Sequence, residues 1–417
     1  MFLTLLALLF FGTCLGAMVN LGIYRLAYFR QRISPWCRTR NELLPRSWTD
    51  RIPVIGWWSL RQEEKYFGAG FWIRPMLLEL CFAIGVAGLY WLEIDINILN
   101  ISPQFPGLHP GPAEAGALCT QFSIHVVLSV LMMLATFIDI DERTIPDSIT
   151  VPGTMIALVL AAFCSAPALP SLEVDPQHPL PDQLIQLLRF DYPAAENLTI
   201  VFQQSWKSLA VGMAIFLAWC FALLPRRWRL GVGIGKAWRV MWRRIAARDE
   251  WKWILPLSIA GCLLIGLAWQ RGGESWHGLL TSLVGLAAGG GIIWLIRLIG
   301  SAVLGREAMG FGDVTLLAMI GAFFGWQPIV LVFFLSPFAG ALVGLVQIMM
   351  GEENIIPYGP FLCLAALVVL IFWSPIWDYA GRMFAIWWLV PSAIVVCLPL
   401  LGAMLFGWKT IRNRLVG

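Results

Sequence analysis

Two short stretches carry acids where the surrounding sequence has almost none. IDIDERTIPDSIT covers residues 138–150 and GREAMGFGDVT covers 305–315. Asp139 and Asp141 close one long apolar run, and Asp313 opens another behind Gly310 and Gly312. Carboxylates at a membrane edge are costly to keep, so each is a functional candidate. Two aspartates sharing one proton can drive water-activated peptide hydrolysis. The ionised one takes a proton from water, and the protonated one hydrogen-bonds the scissile carbonyl. Glycines at 310 and 312 give the backbone unusual freedom and leave room beside Asp313. Taken alone, Asp313 would also serve as a helix cap. The second acid favours a catalytic pair of Asp139 and Asp313, with Asp141 in reserve and Asp147 capping the helix that follows. No Ser/His/Asp set or HExxH competes, and His125 stands alone in an apolar run.

The elements that must position this pair are membrane helices. Of the 417 residues, 59% are hydrophobic and only 13% charged, with a mean hydropathy of +0.75. A soluble chain would carry about a quarter charged residues. Apolar runs near ~20 residues fit membrane-spanning helices, and strict alternation, the mark of a barrel, is missing. The first run, from Met1, lacks a basic start and a cleavage site and reads as a retained span. Eleven candidate spans centre on 2–24, 75–92, 121–138, 151–168, 208–224, 253–270, 278–299, 314–326, 328–349, 360–376 and 383–406. The expected fold is therefore all-α, a polytopic transmembrane bundle of about eleven spans.

Charge orients it. With residues 25–74 in the cytoplasm, alternation puts 24 of the 29 Lys and Arg on that side and four outside. Arg297 falls at the cytoplasmic end of its span. The positive-inside rule then predicts the N-terminus out and the C-terminus in, with Asp139 and Asp313 at the same cytoplasmic depth. Asp139 would end its helix, at the negative pole, and Asp313 would begin one, at the positive pole. An ionised Asp313 and a protonated Asp139 are the expected resting pair.

The rest of the chain is bland. Residues 225–252 read as a basic, Trp-rich helix on an anionic lipid surface. Their GVGIG follows no strand, and no nucleic-acid partner is expected. Many of the 22 Trp flank spans, as an interfacial belt does. Most of the nine Cys lie in apolar runs and no CxxC occurs, so neither a disulfide framework nor a metal site is expected.

In combination the motifs resemble those of a family. GREAMGFGDVTLLAMIGAFFGW resembles the second signature of prepilin peptidases, the GxGD membrane aspartic proteases. IDIDERTIPDSIT resembles their first aspartate motif, and ENIIPYGPFL (353–362) their IPxGPFL segment. GTCLGAMVNLGIYRL (12–26), RIPVIGWWSLR and IRPMLLEL resemble the N-terminal segments. The resemblance implies catalytic Asp139 and Asp313, motif glycines Gly310 and Gly312, and a cytoplasmic cut that removes a basic leader. Its substrates would be type IV prepilins or type II secretion pseudopilins, met in the bacterial inner membrane. Proteolysis would need no cofactor. N-methylation of the new N-terminus would use S-adenosylmethionine, and Asn20, Arg25 and Glu79 fall in the region implied for methyl transfer or substrate binding.

This chain keeps only Cys37 where the family has paired cysteines, and carries Thr315 where a lysine is common. Small residues such as Gly321 and Gly325 would admit the apolar helix of the substrate. Glu352 and Glu353 are candidate contacts for its leader. The implied division is 1–92, then 93–164 with the first aspartate motif, an insertion at 165–272, the GxGD half at 273–376, and an added span and basic tail at 377–417. The other class of reading is a non-catalytic membrane assembly or transport protein, or a degenerate family member, whose acids carry protons or cap helices.

Overall fold

A computed structural model of the chain describes residues 2–29, 47–95, 112–164, 169–171, 186–187, 204–224, 251–305, 307–350, 357–384, 386 and 388–416. Cys37, most of the basic stretch 225–252, Glu352 and Glu353 lie outside them. The architecture is helical, and the one strand pairing among the described residues joins Pro170–Ser171 to Gln186–Leu187.

Twelve main helices follow in chain order: α1 (Phe2–Leu26), α2 (Ile73–Tyr90), α3 (Pro112–Glu142), α4 (Asp147–Cys164), α5 (Trp206–Ala222), α6 (Trp251–Arg271), α7 (Gly273–Leu304), α8 (Phe311–Phe324), α9 (Trp326–Met350), α10 (Gly359–Ile371), α11 (Trp373–Phe384) and α12 (Leu389–Val416). Every expected span coincides with one of them. Among the described residues, seven are long and apolar enough to cross a bilayer, or eight if the bent pair α10 and α11 is one span. The expectation of eleven full-length spans is therefore not matched by helix length.

The shortfall has physical causes. Helix α8 has 14 residues, about 21 Å at 1.5 Å per residue, against a hydrocarbon core of about 30 Å. It is wrapped by protein: every residue from Val314 to Phe324 is buried. The expected span 360–376 ends at Ile371, and α11 leaves at 95°. Helix α11 is amphipathic, with Trp373, Trp377 and Phe384 buried and stacked in series while Asp378 and Arg382 are exposed. Such a stripe suits a helix lying along an interface better than one inside lipid.

Two cores organise the bundle. A smaller one packs Val19 and Ile23 of α1 and Leu78, Phe82 and Val86 of α2 on Val126, Leu134 and Ile138 of α3. The larger one surrounds α8 with α4, α7, α9 and α10. Glycine sets the closest approach. Gly285 of α7 and Gly321 of α8 face each other so closely that a Cβ on either would strike the other's carbonyl oxygen. Gly321 is thus consumed in holding α8 to α7, and Gly325, at φ +87°, ends α8. Neither is open to a substrate helix, contrary to the sequence expectation. Exposed apolar side chains such as Phe2, Phe10, Ile84, Leu263, Phe338 and Met349 cover the outside, as lipid-facing surface requires. The chain is a multi-pass helical membrane protein.

Candidate active site

Three helix ends meet where the acids lie. Helix α3 closes just after Asp139: the Arg143 N–H bonds the Asp139 carbonyl at 2.8 Å, and Arg143 turns out of the helix at φ +55°. The loop 144–146 then leads into α4, with Asp147 in its first turn, where a negative charge is favoured. The start of α8 carries Asp313 in its first turn. The start of α10 carries Gly359.

Ile145 pins the three together. A Cβ on Gly312 would meet Ile145 Cβ at 2.9 Å and Ile145 N at 3.2 Å, and a Cβ on Gly359 would meet Ile145 Cδ1 at 2.9 Å. Gly312 is therefore small because the loop packs on it, not because it leaves an opening. Gly310 is the open one: a Cβ there would meet only Asp313 Oδ2 at 3.5 Å and Gly312 N at 4.0 Å. The Thr315 hydroxyl bonds the Gly312 carbonyl at 3.0 Å and closes the turn from inside.

Asp139 is 3% exposed and lies within Coulombic reach of Asp313. The Gly359 backbone N–H stands against its carboxylate, and the Gly310 backbone N–H against that of Asp313. Asp139 Oδ2 has no hydrogen-bond partner in the protein, and an unpaired buried oxygen is expensive unless it is protonated or bonded by a substrate or water. The helix ends agree with the expected poles: Asp139 at the end of α3, Asp313 at the start of α8. An apolar surround strengthens each interaction between these groups.

Asp141 goes elsewhere. It points out of the bundle and pairs with Arg74 of α2 at 2.6 Å, whose guanidinium also lies over Phe137. Glu142 accepts from the backbone N–H groups of Tyr28 and Phe29 and ties the end of α1 to that of α3. Asn20 and Glu79 are brought together, 3.0 Å apart, deep between α1 and α2. Asn20 also donates to the Pro75 carbonyl, and Glu79 accepts from Trp57 Nε1 at 2.8 Å and the Val54 backbone. Their polar groups are spent on the protein, and Arg25 is exposed one turn away. Among the described residues no group of three or more metal-ligating side chains occurs.

Four residues near the site were not assigned from sequence. Gly359 was only one letter of a resembling stretch, and no local pattern says that it meets Asp139. Arg297 holds the turn before Asp313: its Nε donates to the Met309 carbonyl at 3.0 Å, another nitrogen pairs with Glu307, and it lies over Phe311. Ser336 and Tyr358 hydrogen-bond each other across α9 and the start of α10.

Site and bundle define the class first: a multi-pass membrane protein with two aspartates, one buried and one half-buried, brought near each other where three helix ends meet. Comparison then shows what the chain is similar to. Residues 244–345 match the type IV leader peptidase family, a range that contains Asp313 and stops short of Gly359. The chain is 33% identical over 167 residues to the prepilin leader peptidase/N-methyltransferase of Stutzerimonas stutzeri, covering 37% of this chain and 53% of that protein. Proteins of the same description from Pseudomonas aeruginosa and Aeromonas hydrophila are each 29% identical, over 163 and 196 residues, covering 37% and 43% of this chain and 53% and 58% of theirs. The chain spans about half the length of the curated relatives it matches. No solved structure matches. The resemblance to prepilin peptidases read from the motifs is borne out.

Proposed function

We propose that the protein is a membrane-embedded aspartic endopeptidase that removes the basic leader of type IV prepilins or type II secretion pseudopilins. The observation that carries this reading is the meeting of Asp139 and Asp313, from distant parts of the sequence, with an unpartnered carboxylate oxygen on Asp139. Asp313, at the positive pole of α8, is the ionised base, and Asp139 holds the proton. The pair titrates jointly. Asp313 takes a proton from water as its oxygen attacks the scissile carbonyl. Asp139 gives its proton to the developing oxyanion. Collapse of the tetrahedral intermediate breaks the C–N bond, and a proton passes to the leaving amine.

The open side of Gly310 suits close passage of an extended peptide beside Asp313. Eleven passes with the N-terminus out and the C-terminus in would bring the end of α3 and the starts of α8 and α10 to one face. The lysine and arginine distribution supports that topology, with the site at the cytoplasmic face of a bacterial inner membrane. The division at 1–92, 93–164, 165–272, 273–376 and 377–417 is part of the same reading. Lipids and prepilin-like chains are the partners, and proteolysis runs without a cofactor.

The test is cleavage of a prepilin-like peptide, leader plus apolar segment, by the purified protein in detergent, read by mass spectrometry. Wild type and Asp141→Asn are expected to cut after the leader. Asp139→Asn and Asp313→Asn are expected to lose at least ~10³-fold. A folded wild type that cuts no such peptide overturns the reading and favours a non-catalytic assembly protein.

A further inference from the structure

The chain leaves α7 at Gly305, whose φ of +74° turns it back along the helix it has just left. One face of α7 then grips the returning segment 307–311. The Ser301 hydroxyl oxygen accepts the Ala308 N–H at 3.2 Å. Gly300 lets Ala308 lie against the helix, since a Cβ at 300 would stand 2.7 Å from Ala308 Cβ. Arg297 Nε donates to the Met309 carbonyl at 3.0 Å, and its guanidinium lies 5.6 Å from the centre of the Phe311 ring. Positions 297, 300 and 301 are i, i+3 and i+4, which are neighbours on a helix surface. The Arg297 contact with Glu307 is of a different kind: Glu307 is 82% exposed, and a pair so open to solvent contributes little. A peptide group is planar and trans, so its C=O and N–H point in opposite directions. The Met309 carbonyl and the Gly310 N–H belong to one such group. Arg297 holds the oxygen, and the N–H on the far side bonds the Asp313 carboxylate, whose Oδ2 lies 3.5 Å from where a Gly310 Cβ would stand. A cation on the oxygen also polarises the group and strengthens its N–H as a donor.

We propose that Arg297 is a positioning residue of Asp313, acting through the Met309–Gly310 peptide in a cradle that Gly300 and Ser301 complete. An N–H donated to a carboxylate favours its ionised form, the form in which Asp313 serves as base. The inference rests on the proposed function for that consequence alone, since the hold of α7 on the turn stands without it. Among the described residues, the elements around Asp313 bring these titratable and charged groups: Asp139 at the end of α3, Asp147 in the first turn of α4, Arg297 of α7, Glu307 on the loop, and Tyr358 and Cys363 at the start of α10. Helix α9 carries none.

The test is an infrared titration of the purified protein in detergent, following the protonated-carboxyl signal that Asp313→Asn removes. Arg297→Met keeps an apolar stem and loses the donors. The Gly310 N–H is then free to turn away, the ionised form of Asp313 loses a partner, and the midpoint of the signal is expected to rise by about one pH unit, a tenfold change. Gly310→Pro removes the same N–H at a φ of −66°, which proline adopts without strain, and should raise the midpoint by itself. With Gly310→Pro present, Arg297→Met should add nothing. A shift that persists there means that the guanidinium acts through its charge alone, and it overturns the inference. Glu307→Gln, which leaves the Met309 bond in place, should titrate like wild type, and a shift as large as that of Arg297→Met would also overturn it. Ser301→Ala loosens the cradle without changing charge and should raise the midpoint by less; it carries the test if Arg297→Met does not fold. An unchanged midpoint in folded Arg297→Met, or in Ser301→Ala where that variant stands in, overturns the inference. In the pH–rate profile for a prepilin-like peptide, the acid limb of kcat should move up by the same tenfold in Arg297→Met, with KM unchanged. If the infrared shifts are found while wild type cuts no such peptide, the peptidase reading falls and the positioning of Asp313 stands.

Discussion

Gly359→Ala places a methyl carbon 2.5 Å from Asp139 Oδ2, 3.3 Å from its Cγ and 2.9 Å from Ile145 Cδ1. Ordinary contact for such atoms begins near ~3.5 Å, so about 1 Å must be found. Asp139 cannot supply it easily, because Ile138 and Ala135 beside it are completely buried. The start of α10 must withdraw, and the Gly359 N–H leaves the carboxylate. A displacement of about 1 Å at a reacting group costs ~10²-fold in rate, equal to about 2.7 kcal/mol of transition-state stabilisation. Overpacking adds ~1–3 kcal/mol to the loss of stability.

The assay is kcat/KM for a prepilin-like peptide in detergent, with a thermal unfolding scan in parallel. Gly344→Ala is the control, because a Cβ there meets nothing within 4 Å. The expected outcome is a loss near 100-fold in Gly359→Ala and none in Gly344→Ala. Wild-type kcat/KM in a folded Gly359→Ala protein would refute the placement of α10 against the aspartate pair.

Asp141→Asn breaks only a half-exposed ion pair with Arg74, worth ~1 kcal/mol or less, so unfolding should shift little and cleavage should stay within about threefold of wild type. Glu79→Ala strips an acceptor from Asn20, Trp57 and Val54. With buried donors left unpaired at ~1–3 kcal/mol each, a thermal scan should show a loss of several kcal/mol, while Glu79→Gln, which keeps an acceptor oxygen, should recover part of it. Gly285→Val puts a branched side chain against the Gly321 carbonyl of α8. Protease resistance in detergent should collapse, because α8 has no room to retreat inside its ring of helices.

Much of this protein is legible from its own letters. The span positions follow from apolar runs, since a helix in lipid must satisfy its backbone internally and present apolar side chains outward. The two aspartate motifs stand out because charge is rare in such a chain, and opposite ends of helices α3 and α8 follow from the alternation of spans. Helix length was less legible: hydropathy sees α8, α10 and α11 as ordinary spans, yet one is short and wrapped by protein and another pair is bent by 95°. Hydropathy reports the polarity of a segment and not what surrounds it.

Tertiary structure alone decided which glycine does which work. Gly310, Gly312, Gly321 and Gly359 are the same letter. One leaves space beside Asp313, one receives Ile145, one admits the backbone of α7, and one meets Asp139. It also sent Asp141 to Arg74 and Asp139 to Asp313, although the two acids are neighbours on one helix. The reason is physical: chemistry at a residue is set by the partners within a few ångströms, and in a helical bundle those partners come from other helices, whose rotation and depth are fixed by packing rather than by any local pattern.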